Sequence, residues 1–177
     1  RGFCVVAKKG KHKGGDADEH AGPIRVLVVN DEEGAIELLC RLLARAGYEV
    51  ARATHADETL GQLADFRPDC VVLDLATGGI GQNLKLLDSI RGHVDEKVAA
   101  ARVVLVAHQS NNRLFSWQAG IDAFLLRPFH ADELLRDVAE ALSRPDEERS
   151  RHRRRQLDAA QAEGRTIEPR AWETQRF

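Results

Sequence analysis

Between residues 24 and 143 the chain switches five times from a short apolar run to a longer segment of helical spacing. No other sequence feature restricts the fold as tightly. The runs are IRVLVV (24–29), YEVARA (48–53), CVVLDL (70–75), RVVLVA (102–107) and DAFLLRP (122–128). They are followed by AIELLCRLLARA (35–46), ADETLGQLADF (56–66), a stretch over residues 82–90, NNRLFSWQA (111–119) and ADELLRDVAEALS (131–143). Strands that alternate with helices lie parallel, because each helix carries the chain back to the same end of the sheet. Right-handed crossovers then leave few topologies. Five strands predict an α/β, flavodoxin-like, doubly wound parallel sheet in the order 2-1-3-4-5.

The helical segments also predict which side chains turn inward. Ile36, Leu39, Cys40 and Leu43 share one face of the first. Leu60, Leu63 and Ala64 are expected to face the core from the second. Gly47 and Gly120 stand where left-handed terminators belong, and Pro68 breaks the second helix because proline disfavours helix in the residue before it.

Three segments follow: an aperiodic arm over 1–23 (or a cloning remnant), a domain over 24–143 and a charged, Arg-rich tail over 144–177. The sequence opens on Arg1 rather than methionine and so reads as part of a longer frame. The domain carries 12 basic and 18 acidic side chains, whereas each end is about +2. An acidic body with basic ends gathers cations, and an overall charge of −2 argues against a nucleic-acid binder that is basic throughout. The three cysteines, Cys4, Cys40 and Cys70, have no metal-binding spacing; Cys40 and Cys70 sit in apolar runs as small core residues. That usage fits a reducing, cytoplasmic compartment. No apolar run approaches the roughly 20 residues that cross a bilayer, so no membrane association is expected.

In the order 2-1-3-4-5, strands 1 and 3 are neighbours and their C-terminal tips meet at the topological switch point, where ligands of such sheets bind. One tip carries NDEE (30–33) and the other Asp74. Two carboxylates close together repel unless a cation lies between them, and a hard divalent ion such as Mg²⁺ prefers oxygen ligands. Asp31 can also be read as a helix cap, with Glu32 and Glu33 near the positive end of the following helix.

Residues 24–143 resemble the receiver domain of two-component response regulators. The resemblance rests on VVND at the end of strand 1, VVLDL at strand 3, AGIDAFLLRPF (119–129) across strand 5, and the closing helix. It implies that Asp74 accepts a phosphoryl group from a histidine kinase. Asp31, Asp74 and the backbone carbonyl of Ala76 would hold Mg²⁺, with Asn30 contributing weakly through water. It also implies a cis bond before Pro128.

The chain departs from the family pattern at several of these places. Asn30 replaces the first of two acids usual at the end of strand 1, so metal affinity should fall; the alternative reading of Asn30 is an ordinary turn residue. The Ser or Thr that usually bonds the phosphoryl group at the end of strand 4 falls at Val106 or Ala107, neither of which has a hydroxyl. Arg127 stands in place of the strand-5 lysine; it keeps the charge but is bulkier, and the alternative reading is an ordinary salt bridge to Asp74. LATGG (75–79) replaces a segment that usually carries a proline. The implied protein is an atypical receiver that signals by docking, with weak or absent phosphorylation.

Receivers commonly contact partners through the fourth helix, fifth strand and fifth helix, which here implies an output face with Phe124 and a possible homodimer. Leu114, Phe115, Trp117 and Ala119 span about 200° of the fourth helix, wider than one buried stripe, so one aromatic should be exposed. Trp117 is the expected docking anchor. The tail RPDEERSRHRRRQLDAAQAEGR (144–165) could extend the last helix and touch nucleic acid, although such runs are more often solvated. The rival reading is an enzyme, a Mg²⁺-dependent aspartyl-phosphate hydrolase; Ala76 stands where its second aspartate would be. A flavin site would need a phosphate-binding loop, and NDEEG would repel phosphate.

Overall fold

In the computed structural model, residues 22–76 and 79–166 are described. The expected arm therefore lies almost entirely outside the described residues. Five strands form one parallel sheet: β1 (Arg25–Asn30), β2 (Glu49–Ala53), β3 (Cys70–Asp74), β4 (Arg102–Ala107) and β5 (Ala123–Leu126). Their order is β2-β1-β3-β4-β5, as the alternation predicts. The helices are α1 (Glu33–Arg45), α2 (Ala56–Phe66), α3 (Gly79–Arg91), α4 (Glu96–Ala100), α5 (Arg113–Gln118), α6 (Ala131–Ser143) and α7 (Asp146–Thr166).

The sheet is covered on both faces. Val26, Val28, Val72, Val104 and Val106 pack against Ile36, Leu39 and Leu43 of α1 and Leu134, Val138 and Ala141 of α6. Leu27, Val29, Val71, Leu73, Val103 and Leu105 form the opposite core with α2, α3 and α5. Strand residues alternate between these two cores, as a pleat with period two requires. Cys70 is buried and Cys40 half-buried.

The inward face of α2 differs from the sequence expectation. Thr59, Leu63 and Phe66 are buried, whereas Leu60 is 42% exposed and Ala64 faces solvent. The helix turns to bury the larger Phe66 ring, and Thr59 satisfies its hydroxyl on the His55 carbonyl at 2.8 Å. Gly47 closes α1 with a φ of 96°, the left-handed geometry anticipated for it.

Two elements have no counterpart in the periodicity. Helix α4 is one short turn, capped by the Asp95 side chain on the Lys97 N–H at 3.0 Å. Helix α7 runs from Asp146 to Thr166 and packs on α5. Its Ala160 is buried in the core that contains Trp117, and Leu157 packs against that core. Among the described residues, no helix is long and apolar enough to cross a membrane.

Candidate functional site

Strands β1 and β3 run in register so that Asn30 stands directly beside Asp74. The carboxylate of Asp74 is 2% exposed at the C-terminal tip of β3. Three groups from three strand ends meet there. Asn30 Nδ2 donates to Asp74 Oδ2 at 2.7 Å. Arg127, just past β5, donates through Nε to Asp74 Oδ1 at 3.3 Å and through Nη2 to Oδ2. The Arg127–Pro128 peptide bond is cis.

The turn reading of Asn30 is the one the geometry displays. Its Oδ1 accepts the Glu32 N–H at 2.7 Å, closing a turn over the start of α1, while its amide N–H₂ faces Asp74. Asp31 Oδ1 accepts the Ala76 N–H at 2.9 Å, which ties the loop after β3 to the loop after β1. Burial pushes the Asp74 carboxyl above the usual carboxylate range, against the opposing pull of Arg127, then of His108 and Asn30.

This arrangement suits a magnesium ion poorly. Hard cations need oxygens, and Asn30 presents hydrogens to the carboxylate while committing its oxygen to the backbone. The guanidinium of Arg127 already occupies both oxygens of Asp74. Among the described residues no three His, Cys, Asp or Glu side chains gather as a metal cluster. The positive partner of Asp74 is therefore supplied by the chain itself.

The end of β4 supplies no hydroxyl. Val106 and Ala107 are buried, and the Ala107 carbonyl accepts the Arg127 N–H at 2.9 Å. Phe124, on β5, lies under the Arg113 guanidinium, whose carbon is 5.2 Å from the ring centre.

The aromatic assignment on α5 is reversed. Phe115 is 60% exposed, whereas Trp117 is only 4% exposed because α7 lies over it. The His152 ring of α7 meets the Trp117 ring edge-on at 5.6 Å between centres. The over-wide apolar arc did place one aromatic outside, but that residue is Phe115. Trp117 is a packing residue instead of an exposed anchor.

Two buried polar groups absent from the expected site hold its surroundings in place. Asn83 of α3 is buried and pairs with the backbone of Leu75, accepting its N–H at 3.2 Å and donating to its carbonyl at 2.9 Å, which fixes the residue after Asp74. Asp122, 1% exposed, accepts from Arg149, Arg153 and Arg91 and from the Val103 N–H. Its place in AGIDAFLLRPF was visible; its partners on α7 were not, because nothing in a charged run says which arginines turn inward.

Comparison with known proteins agrees with this architecture. The profile of the response regulator receiver domain matches residues 26–139. The response regulator MprA of a Mycobacterium species is 36% identical over 128 residues, covering 71% of this chain and 54% of the relative. The transcriptional regulatory protein PrrA of Mycobacterium bovis is 34% identical over 126 residues, 68% of this chain and 50% of PrrA. The chain thus spans about half the length of the curated relatives it matches. Among solved structures, a response regulator from Chloroflexus aurantiacus superposes with a TM-score of 0.62 at 28% identity, covering 70% of this chain and all of the other. The response regulator TrrA of Thermotoga maritima, solved with Mg²⁺ and beryllofluoride, gives 0.58 at 32% identity over 67% of this chain and 99% of TrrA.

Proposed function

This chain belongs to the response regulator receiver family, and from that premise we propose that it is an atypical two-component receiver that signals by protein contact, with weak or absent phosphorylation at Asp74. Receiver domains act as signalling modules, and neither a hydrolase nor a nucleic-acid reading gains a specific observation here. One observation carries the proposal. The carboxylate that would accept a phosphoryl group is closed by Arg127 on one side and the Asn30 amide on the other.

A nucleophilic carboxylate needs an exposed oxygen, and the attack needs positive charge placed on the incoming phosphoryl oxygens. Here Arg127 would have to leave Asp74 before either condition held. Its side chain is 28% exposed, so it has room to turn outward and could then meet the phosphoryl group as a counter-charge. Even so, Val106 and Ala107 could not bond that group. Asp31 and the Ala76 backbone remain as a reduced oxygen set, consistent with at most weak Mg²⁺ binding. A histidine kinase or another signalling protein is the natural partner, and a cytoplasmic site of action goes with that reading.

The test is incubation with a small acyl phosphate and Mg²⁺, followed by intact mass. The expected result is little or no phosphoryl adduct on the wild-type chain and a clear one on the Asn30→Asp, Arg127→Lys, Ala107→Thr triple variant. Stoichiometric labelling of wild-type Asp74 would overturn the proposal.

A further inference from the structure

Helix α7 is held by charge more than by apolar burial. Its sequence, DEERSRHRRRQLDAAQAEGRT, offers Leu157 and Ala160 to the core and little else that is apolar. Its arginines grip the body instead. Arg149 bonds Asp122 through Nε at 2.6 Å and Nη2 at 2.9 Å, and its two terminal nitrogens also reach the carbonyls of Ala100 and Ala101 at 2.9 and 3.1 Å. One turn later, Arg153 donates to the Ile121 carbonyl at 2.9 Å and to Asp122 Oδ1 at 3.1 Å. The body thus presents a helix-shaped receptor: the buried Asp122 carboxylate, the carbonyls of Ala100, Ala101 and Ile121, and the Trp117 ring.

We propose that this receptor also takes the α7 of a second copy of the chain, so that two copies exchange their C-terminal helices and form a closed two-fold dimer. A helix with so few buried apolar contacts is among the first elements to open. The opened body keeps Arg91 and the Val103 N–H on Asp122 but loses both α7 guanidiniums and uncovers Trp117. A replacement must supply arginines at i and i+4, then Leu and Ala at i+8 and i+11 on the same face. Another α7 supplies all four at once. Only Arg144 and Pro145 join α6 to α7, with Arg144 extended at φ −77° and ψ 119°. Short hinges of this kind favour exchange between copies, because the same contacts form whichever chain provides the helix. The proposal goes beyond the signalling reading and does not depend on the chemistry of Asp74.

Two variants of the 177-residue chain test it. One carries Arg149→Glu with Arg153→Glu, so its α7 is repelled by its own body; the other carries Asp122→Arg, so its body repels its own α7. Only exchange between the two restores opposite charges at both receptors. Each variant alone should be monomeric by light scattering, and an equimolar mixture should run as a dimer in which the amides of α7 are protected from hydrogen exchange. A mixture that stays monomeric while both variants keep their circular dichroism would overturn the proposal. Should either variant fail to fold, mass-tagged and untagged wild-type chains are mixed at high concentration and weighed by native mass spectrometry. A photo-crosslinking residue in place of Leu157 on the tagged chain should then label the body of the untagged chain; no dimer, or labelling confined to the tagged chain's own body, overturns the exchange.

Discussion

Asp122, at the foot of β5, is held by Arg149 from 27 residues further along the chain, with Nε 2.6 Å from Oδ1 and Nη2 2.9 Å from Oδ2. The pair joins a helix outside the five-fold alternation to the sheet itself. Breaking a buried ion pair from one side leaves an under-compensated charge, which costs more than the pair contributes net. Arg91 and Arg153 stay on Asp122 and soften the loss. Arg149→Ala is therefore expected to destabilise the fold by about 3 kcal/mol. Urea unfolding followed by circular dichroism measures it. Arg155→Ala, on the exposed side of α7, serves as a control and should change stability little.

The same cluster sets an acid dependence. Burial works against the Asp122 charge, but Arg149 and then Arg153 outweigh it, and its carboxyl lies below the ordinary value. A depressed carboxyl gives stability that is fully present above the unfolded pKa of about 3.9 and is lost as pH falls through the lower folded value. Asp74 has the opposite sign. Its raised carboxyl takes up a proton earlier in the folded protein, so its contribution becomes more favourable as pH falls towards about 3.9. Stability measured from pH 7 to 3 should therefore fall less steeply below pH 4 in Asp122→Asn than in the wild type. In Asp74→Asn it should lose the gain that the wild type shows between the raised Asp74 value and pH 4. An unchanged acid limb in Asp122→Asn would show that other groups govern it.

These residues mark where the sequence is readable and where it is not. The sheet order followed from alternation alone, since helix-linked parallel strands have few ways to pack. Strand order brought the tips of β1 and β3 together and so set the Asn30–Asp31 pair near Asp74, whereas the arrival of Arg127 was implied only by the resemblance to receivers, since β4 lies between β3 and β5. The amide's orientation followed from neither, since an Asn can offer hydrogen or oxygen and only the Glu32 N–H decides. A helical tail was legible in residues 144–165, but its docking was not, because hydrophobic periodicity is the signal for a packed helix and α7 packs through guanidinium groups. With that docking unread, Trp117 looked exposed.

Trp117 now carries a stability expectation instead of a docking one. It is 4% exposed between α5, the sheet and α7. Trp117→Ala removes a large buried ring and should cost about 3–5 kcal/mol. Its indole Nε1 is buried without a protein partner, so Trp117→Phe should cost much less than the alanine change. Thermal unfolding of the two variants separates them; equal losses would show that the indole nitrogen matters.

Restoring the second acid should restore a metal. Asn30→Asp removes the amide hydrogens that face Asp74 and sets a carboxylate beside it. Ligand charge tunes affinity for hard cations, so Mg²⁺ should bind about tenfold tighter or better. Without Mg²⁺ the two adjacent carboxylates repel, and the variant should melt below the wild type. Calorimetry and melting with and without Mg²⁺ check both halves. A variant that melts like the wild type and ignores Mg²⁺ would mean that Arg127 neutralises both acids.

The missing hydroxyl bears on switching as well as on binding. With Val106 and Ala107 at the end of β4, a phosphoryl group on Asp74 would gain no hydrogen bond from that strand. A hydrogen bond to a charged group is worth roughly 1.5–3 kcal/mol. A ligand shifts a two-state equilibrium only by the difference in its interactions with the two states. Losing this bond should cut a phosphoryl-driven shift by about one to two orders of magnitude. Phe124 sits under Arg113, and Trp117 lies beneath α7, so tryptophan fluorescence reports movement of α5 or α7. Beryllofluoride with Mg²⁺ should leave that fluorescence nearly unchanged in the wild type, even where calorimetry detects binding. Ala107→Thr, which returns a hydroxyl to the end of β4, should recover part of the response. A large, saturable wild-type change that disappears in Asp74→Ala would show that Arg127, released from its carboxylate, performs the hydroxyl's task.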